Sequence, residues 1–173
     1  KLRGSLSGYV KVDQLSEDDS VALKELDFNS MNLEQRRTIF NSVPSLMPVN
    51  GFMTRGYEIN PLVNQPHIGV DIAGENGTPV RATADGIVVF AGWTNNMGYV
   101  IILQHEFGFS SLYGHNERNL VDVLQKVKKG EVIALLGDTG TISSGPHLHF
   151  EIWKNGQTQD TLRFIGESIK DKS

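Results

Sequence analysis

Apolar residues in this chain recur in short runs fenced by glycine. Gly86-Ile-Val-Val-Phe-Ala-Gly92, Gly98-Tyr-Val-Ile-Ile-Leu103 and Gly130-Glu-Val-Ile-Ala-Leu-Leu-Gly137 are rich in β-branched residues and too short for helices. Runs of this kind read as strands joined by tight turns. From residue 50 onward helical spacing is absent, apart from 116–125, where a helix is a candidate. The pattern predicts an all-β domain, either a sandwich or a rolled antiparallel sheet. The sharpest stretch is Gly145-Pro-His-Leu-His-Phe-Glu151. Its Gly-Pro pair cannot continue a regular element. Beyond it Leu148, Phe150 and Ile152 alternate with His147, His149 and Glu151, which predicts a strand with one apolar face. Residues i and i+2 of a strand point the same way, roughly 6–7 Å apart. Both imidazoles therefore emerge opposite the apolar stripe, an arrangement that suits a metal site.

The first 46 residues have a different texture. Tyr9, Val10 and Val12 could form a short strand, and Ser16-Glu-Asp-Asp19 opens like a capped helix over 17–26. Asn32, with Gln35 at the reciprocal position, caps a second helix whose apolar face is Leu33, Ile39, Phe40 and Val43. Pro44 and Pro48 end it. This segment is too short and too thinly apolar to stand alone. The expected organisation is a partly helical arm (1–46) packed on the main domain, an all-β domain (47–165) and a frayed polar tail (166–173). A second placement, with the arm over the active site, stays open.

Composition narrows the function. The 173 residues carry a formal charge of −4, and basic residues are dispersed apart from Lys126, Lys128 and Lys129. Nucleic acid is therefore not the expected partner. No apolar run approaches the roughly 18 residues that span a bilayer, and the first residues lack a signal peptide's apolar core. Stable membrane insertion of this stretch is not expected, and a monomer is. The chain does not begin with Met, so it reads as a fragment or processed product, and a preceding signal or anchor stays open. It holds no cysteine. Any metal must then be bound by His, Asp or Glu.

All five histidines fall in the β region: His67, His105, His115, His147 and His149. Asp71 follows His67 by four residues. In a straight strand the two would share a face but stand roughly 13 Å apart. Gly69 between them allows a bend. Singly, each signal has an ordinary explanation: a polar strand end for His67 and Asp71, a loop histidine for His115, and a structural histidine for His105. The combination is more specific. Two His and one Asp leave an open fourth position, the arrangement of a catalytic zinc. Zinc would carry a water whose pKa falls toward about 7. Two further histidines could orient that water and stabilise an oxyanion. The same three donors also make the facial triad of non-haem iron enzymes, a scheme that leaves His115 and His147 without a role. There is no His-Glu-x-x-His helix, no Gly-x-Ser-x-Gly elbow and no cysteine nucleophile.

The blocks His67-Ile-Gly-Val-Asp71, Ala84-Asp-Gly-Ile-Val88, Tyr113-Gly-His115, Val127-Lys-Lys-Gly-Glu-Val-Ile133 and Gly145-Pro-His-Leu-His-Phe-Glu151 stand in an order that resembles the M23 family. These are the lysostaphin/LytM-type zinc metallopeptidases that cut peptidoglycan peptide cross-links. The likeness runs from about Pro48 to Phe164. It implies an antiparallel sheet of the duplicated-hybrid-motif type, with one Zn2+ per chain in a groove. It also implies that His67, Asp71 and His149 are ligands and that His115 and His147 are the catalytic histidines. The implied location is the bacterial cell envelope, extracytoplasmic, either periplasmic or secreted. Glu151 falls on the histidine face; a solvated carboxylate is the expected reading, ahead of a partner for a ligand histidine. There are departures. Four residues, Thr141-Ile-Ser-Ser144, separate Gly140 from Gly145 where the family usually has three. Asn116 replaces a common apolar residue, Thr161 a proline, and Gly51-to-Tyr57 matches only loosely. They bear on substrate preference more than on activity. A catalytically silent regulator of the same family is the alternative; such members commonly lack ligand residues, and this chain lacks none. The Val127-to-Ile133 block also resembles a biotinyl/lipoyl hairpin, but no lysine sits in the matching exposed turn.

Overall fold

The computed structural model describes residues 30–60, 62 and 66–165. The strand expected near Tyr9, the helix over 17–26 and the tail from 166 lie outside the described residues.

Helix α1 spans Leu33–Ser42 and starts as the cap residues predict. The Gln35 amide donates to Asn32 Oδ1, and the Asn32 amide donates to Gln35 Oε1, each at 2.9 Å. This reciprocal pair satisfies donors that the first turn leaves orphaned. Val43 has already turned to extended backbone at the helix end, with Pro44 next in the chain. The end is tied to the β domain. Lys129 Nζ donates to the Phe40 carbonyl at 2.8 Å and to Ser45 Oγ, and the Ser45 and Leu46 amides donate to the Thr83 carbonyl.

Ten strands follow among the described residues: β1 (Phe52–Arg55), β2 (Val70–Ala73), β3 (Pro79–Arg81), β4 (Gly86–Thr94), β5 (Gly98–Gln104), β6 (Phe109–Asn119), β7 (Lys126–Val127), β8 (Val132–Leu136), β9 (His147–Lys154) and β10 (Gln157–Gln159). A short helix, α2 (Leu162–Ile165), closes the described chain. The sheet order is β1-β2-β9-β6-β5-β4-β7, with β10 on β9 and β8 joining β3 to β6. These pairings are antiparallel. The all-β expectation holds, as an open sheet.

The helix considered for 116–125 does not form. Strand β6 runs through Asn119, and its far end pairs with β8, Asn116 opposite Leu136 and Asn119 opposite Ala134. The Leu120 and Leu124 amides then donate to Ile133 and Val88 carbonyls, so the backbone is already satisfied by distant strands.

Alternation along β9 sorts its side chains. Leu148, Phe150 and Ile152 are fully buried, together with Val70, Ile101, Leu103, Tyr113, Ile133 and Leu136. Each side chain of this kind stabilises the fold by about 1.5–3 kcal/mol on burial. The core stripe thus pins the register of β9, since a one-residue slip would turn it outward. Pinned this way, β9 sets His149 between Asp71 of β2 on one side and Gly114 of β6 on the other.

Candidate metal centre

Asp71 and His149 are opposed residues of adjacent antiparallel strands, so their side chains leave the sheet together. His67 reaches them from outside β2, from a lone bridge with Glu58. The chain bends at Gly69 and passes against β9. A Cβ on Gly69 would lie 2.5 Å from the Phe150 carbonyl oxygen, a distance only glycine avoids. This bend turns the 13 Å of a straight strand into contact. His67 Nε2 lies 3.0 Å from Asp71 Oδ1 and 3.2 Å from His149 Nδ1. His149 Nδ1 lies 2.7 Å from the same carboxylate oxygen. His67 and His149 are buried, and Asp71 is nearly so.

His115 and His147 stand beside this cluster. Their ring centroids are 4.6 Å apart, and His115 lies 6.3 Å from His149. Register shifts between β5 and β6 near Tyr99, and His115 adopts φ 62°. That left-handed conformation costs on the order of 1–3 kcal/mol for a non-glycine residue. Two contacts hold it: the His115 amide donates to Met97 O, and Nδ1 donates to Thr139 O, both at 2.7 Å. His147 is placed by the longer loop that the sequence singled out. Its Nδ1 donates to the Gly145 carbonyl at 2.8 Å. Asp138 Oδ1 staples that loop by accepting from Ser143 Oγ and from the Gly145 amide.

A common device orients all four rings. In each, one nitrogen is engaged by a fixed acceptor: Gly56 O for His67 (2.7 Å), Thr139 O for His115, Gly145 O for His147 and Glu151 for His149 (2.9 Å). In the neutral ring, the form that binds a metal or accepts a proton, that sets the tautomer and leaves the other nitrogen with its lone pair. The three backbone carbonyls had no signal in the sequence. Glu151 had one, its place on the histidine face, but the expectation of a solvated carboxylate fails. Glu151 is 1% exposed, accepting from His149 Nε2 and, at 2.6 Å, from Trp153 Nε1. The rings before and after it on the strand shield it from water. His105 stays structural as expected: it is buried, with its nitrogens on Asp85 O and Ser111 Oγ.

Electrostatics follow from this packing. Burial opposes the charge on Asp71, but hydrogen bonds from His149 and His67 outweigh it and hold the carboxyl well below the usual range. Burial also opposes charge on His149, yet its bonds to Asp71 and Glu151 push it up to about 9. Burial pushes His115 down; the Thr139 carbonyl pulls the other way, and His147 and His149 add to the lowering.

Residues 65–161 match the family model of peptidase family M23. The chain belongs to peptidase family M23. Among curated relatives of this M23 chain, the DD-carboxypeptidase/endopeptidase Mpg of Neisseria meningitidis serogroup B is 40% identical over 104 residues, 59% of this chain and 24% of the relative. The murein hydrolase activator NlpD of Escherichia coli is 45% identical over 98 residues, 56% of this chain and 25% of the relative. The chain therefore spans about a quarter of the length of these relatives. A solved zinc-containing peptidase from Vibrio cholerae superposes with a TM-score of 0.63 at 32% identity, covering 69% of this chain and 39% of that one.

The donor set of this M23 domain can be tested against zinc. Tetrahedral ligands with bonds of about 2.0–2.1 Å stand about 3.3–3.4 Å from one another. The three donor atoms are 2.7, 3.0 and 3.2 Å apart. A few tenths of an ångström of opening would seat the ion, so the residues fit. His67 would offer Nε2, His149 Nδ1 and Asp71 Oδ1.

Proposed function

We propose that this chain is a zinc endopeptidase that hydrolyses peptide cross-links of bacterial peptidoglycan. One observation carries the reading: three donor atoms converge within hydrogen-bond distance while two more histidines stand ring to ring beside them. His67, Asp71 and His149 hold one zinc per chain. A bound zinc ion supplies a Lewis acid that brings a water's pKa toward about 7 and polarises a carbonyl. His115 is the general base. Its Nδ1–H is committed to Thr139, so Nε2 accepts the proton of the attacking water, and burial keeps the ring neutral at pH 7. His147 faces the same space; with Nδ1–H kept on the Gly145 carbonyl, the ring that has taken up a second proton at Nε2 donates it in a hydrogen bond to the carbonyl oxygen as charge builds there. The peptidase unit is residues 47–165, with 1–46 as an arm; the contacts of residues 40–46 with Thr83 and Lys129 support packing on the domain. The substrate places the protein outside the cytoplasm, in the cell envelope. No helix among the described residues is long and apolar enough to cross a membrane.

Similarity to a murein hydrolase activator favours a second reading, a silent regulator that binds the wall or stimulates another hydrolase. Zymography on purified peptidoglycan separates the two. The enzyme clears the substrate, chelator stops it and zinc restores it. No clearing under any metal condition selects the regulator. Mass spectrometry of fragments from defined muropeptides then identifies the bond cut.

A further inference from the structure

Strand β9 carries His147, His149, Glu151 and Trp153 at alternate positions. The last three are joined. His149 Nε2 meets Glu151 Oε1 at 2.9 Å, and Trp153 Nε1–H donates to Glu151 Oε2 at 2.6 Å. The carboxylate is buried and each of its oxygens has one donor. Glutamate is almost never fully buried without such partners. Trp153 has no part in the chemistry described above, and Glu151 enters it only as the acceptor that engages His149.

We infer that Glu151 is a positioning residue for the metal ligand His149, and that Trp153 holds Glu151 in place for that task. This rests on the metal reading of the site. The physical argument concerns the ring of His149. Rotation by 180° about χ2 is an alternative that the rotamer preference of an imidazole scarcely resists. Such a flip would exchange Nδ1 for a carbon and withdraw the donor from His67 and Asp71. It would also present a C–H to Glu151. A carboxylate oxygen facing Nε2–H therefore selects both the flip and the tautomer that aim the Nδ1 lone pair at the ion. Its negative charge makes that nitrogen a stronger donor. The indole N–H stops the carboxylate from rotating away. Trp153 does this through a bond to the second oxygen, so it acts on His149 only by way of Glu151.

The two substitutions should not act independently. Glu151→Gln keeps the shape but replaces one oxygen with an NH2 group. With two donors facing it, the amide must point its NH2 at either His149 or Trp153. Trp153→Phe removes one of those donors and lets the amide oxygen turn to His149.

The test is zinc affinity of the full chain, measured by competition with a chelator of known affinity, with circular dichroism as the check on folding. Glu151→Gln should weaken zinc binding by about 10–100-fold, the usual cost of losing a group that orients a ligand. Trp153→Phe should weaken it by on the order of several-fold, less than the loss of Glu151 itself. The double variant should bind zinc no more weakly than Glu151→Gln alone, where independent effects would multiply. A folded Glu151→Gln protein with wild-type zinc affinity overturns the inference, because a purely structural role would change thermal stability and leave affinity alone. If Glu151→Gln does not fold, unchanged affinity in Trp153→Phe overturns it. A wild-type protein that takes up no zinc removes the metal reading and this inference together; a wild type that binds zinc beside an unaffected Glu151→Gln removes only the inference.

Discussion

Adding one methyl group at Gly69 should loosen the metal centre without touching any ligand. The Cβ of Gly69→Ala would sit 2.5 Å from the Phe150 carbonyl oxygen, 3.0 Å from Glu151 Cγ and 3.1 Å from His149 Cε1. Comfortable contacts between such atoms lie near 3.5–4.0 Å. The nearest obstacle is backbone, so β2 and β9 must part by on the order of 1 Å. Overpacking of this kind costs about 1–3 kcal/mol. In a chain of this size each kcal/mol lowers Tm by about 2–4 °C, which puts the expected loss at about 2–12 °C. The same displacement carries His67 and Asp71 away from His149. Zinc affinity should then fall by at least about 10–100-fold, the scale seen when ligand orientation alone is lost. Thermal unfolding of the metal-free protein followed by chelator competition reads both quantities. Gly56→Ala is the control. Its added methyl meets nothing within 4 Å, while its carbonyl still holds His67, so little should change. A Gly69→Ala protein with unchanged Tm and zinc affinity would refute the reasoning about why the chain bends there.

Four more outcomes are expected. His115→Ala should keep its zinc and lose about 10²–10⁴-fold in turnover, measured at equal metal occupancy. In the metal-free protein, the raised pKa of His149 contributes stability that is full below its unfolded value near 6.5 and is lost as pH rises through about 9; denaturant titrations across pH 6–10 should show that decline, lessened in His149→Gln. Zinc must displace that same proton, so calorimetry near pH 7.5 in buffers of different ionisation enthalpy should report at least about one proton released per ion, with zinc-bound water adding to it. Asp138→Ala should free Ser143 and the Gly145 amide and let His147 drift, lowering kcat by up to about 10²-fold with zinc content unchanged, by steady-state kinetics and metal analysis.

How far the sequence could be read depended on the range of the interactions involved. The cap of α1 was legible because Asn32 and Gln35 satisfy each other within one turn. Strand β9 was legible because a two-residue period is local and its apolar half is the core stripe. Spacing brought His67 and Asp71 only to a candidate pair, since their contact depends on how closely β9 passes Gly69. The far half of β6 misled, because its amides and carbonyls are paired with β8, residues distant in the chain. Glu151 misled for a related reason. Its position on the histidine face was visible, but burial of its carboxylate follows from the rings of His149 and Trp153 turning onto it. The carbonyls of Gly56, Thr139 and Gly145 orient three imidazoles and are backbone groups, which residue identity does not advertise.

The most direct measurement is a crystal structure with anomalous data on both sides of the zinc absorption edge. The account requires one anomalous peak per chain, within about 2.0–2.1 Å of His67 Nε2, Asp71 Oδ1 and His149 Nδ1, and its disappearance in His149→Ala. A peak seated on other side chains, or zinc-saturated protein with no peak between these three, would contradict it.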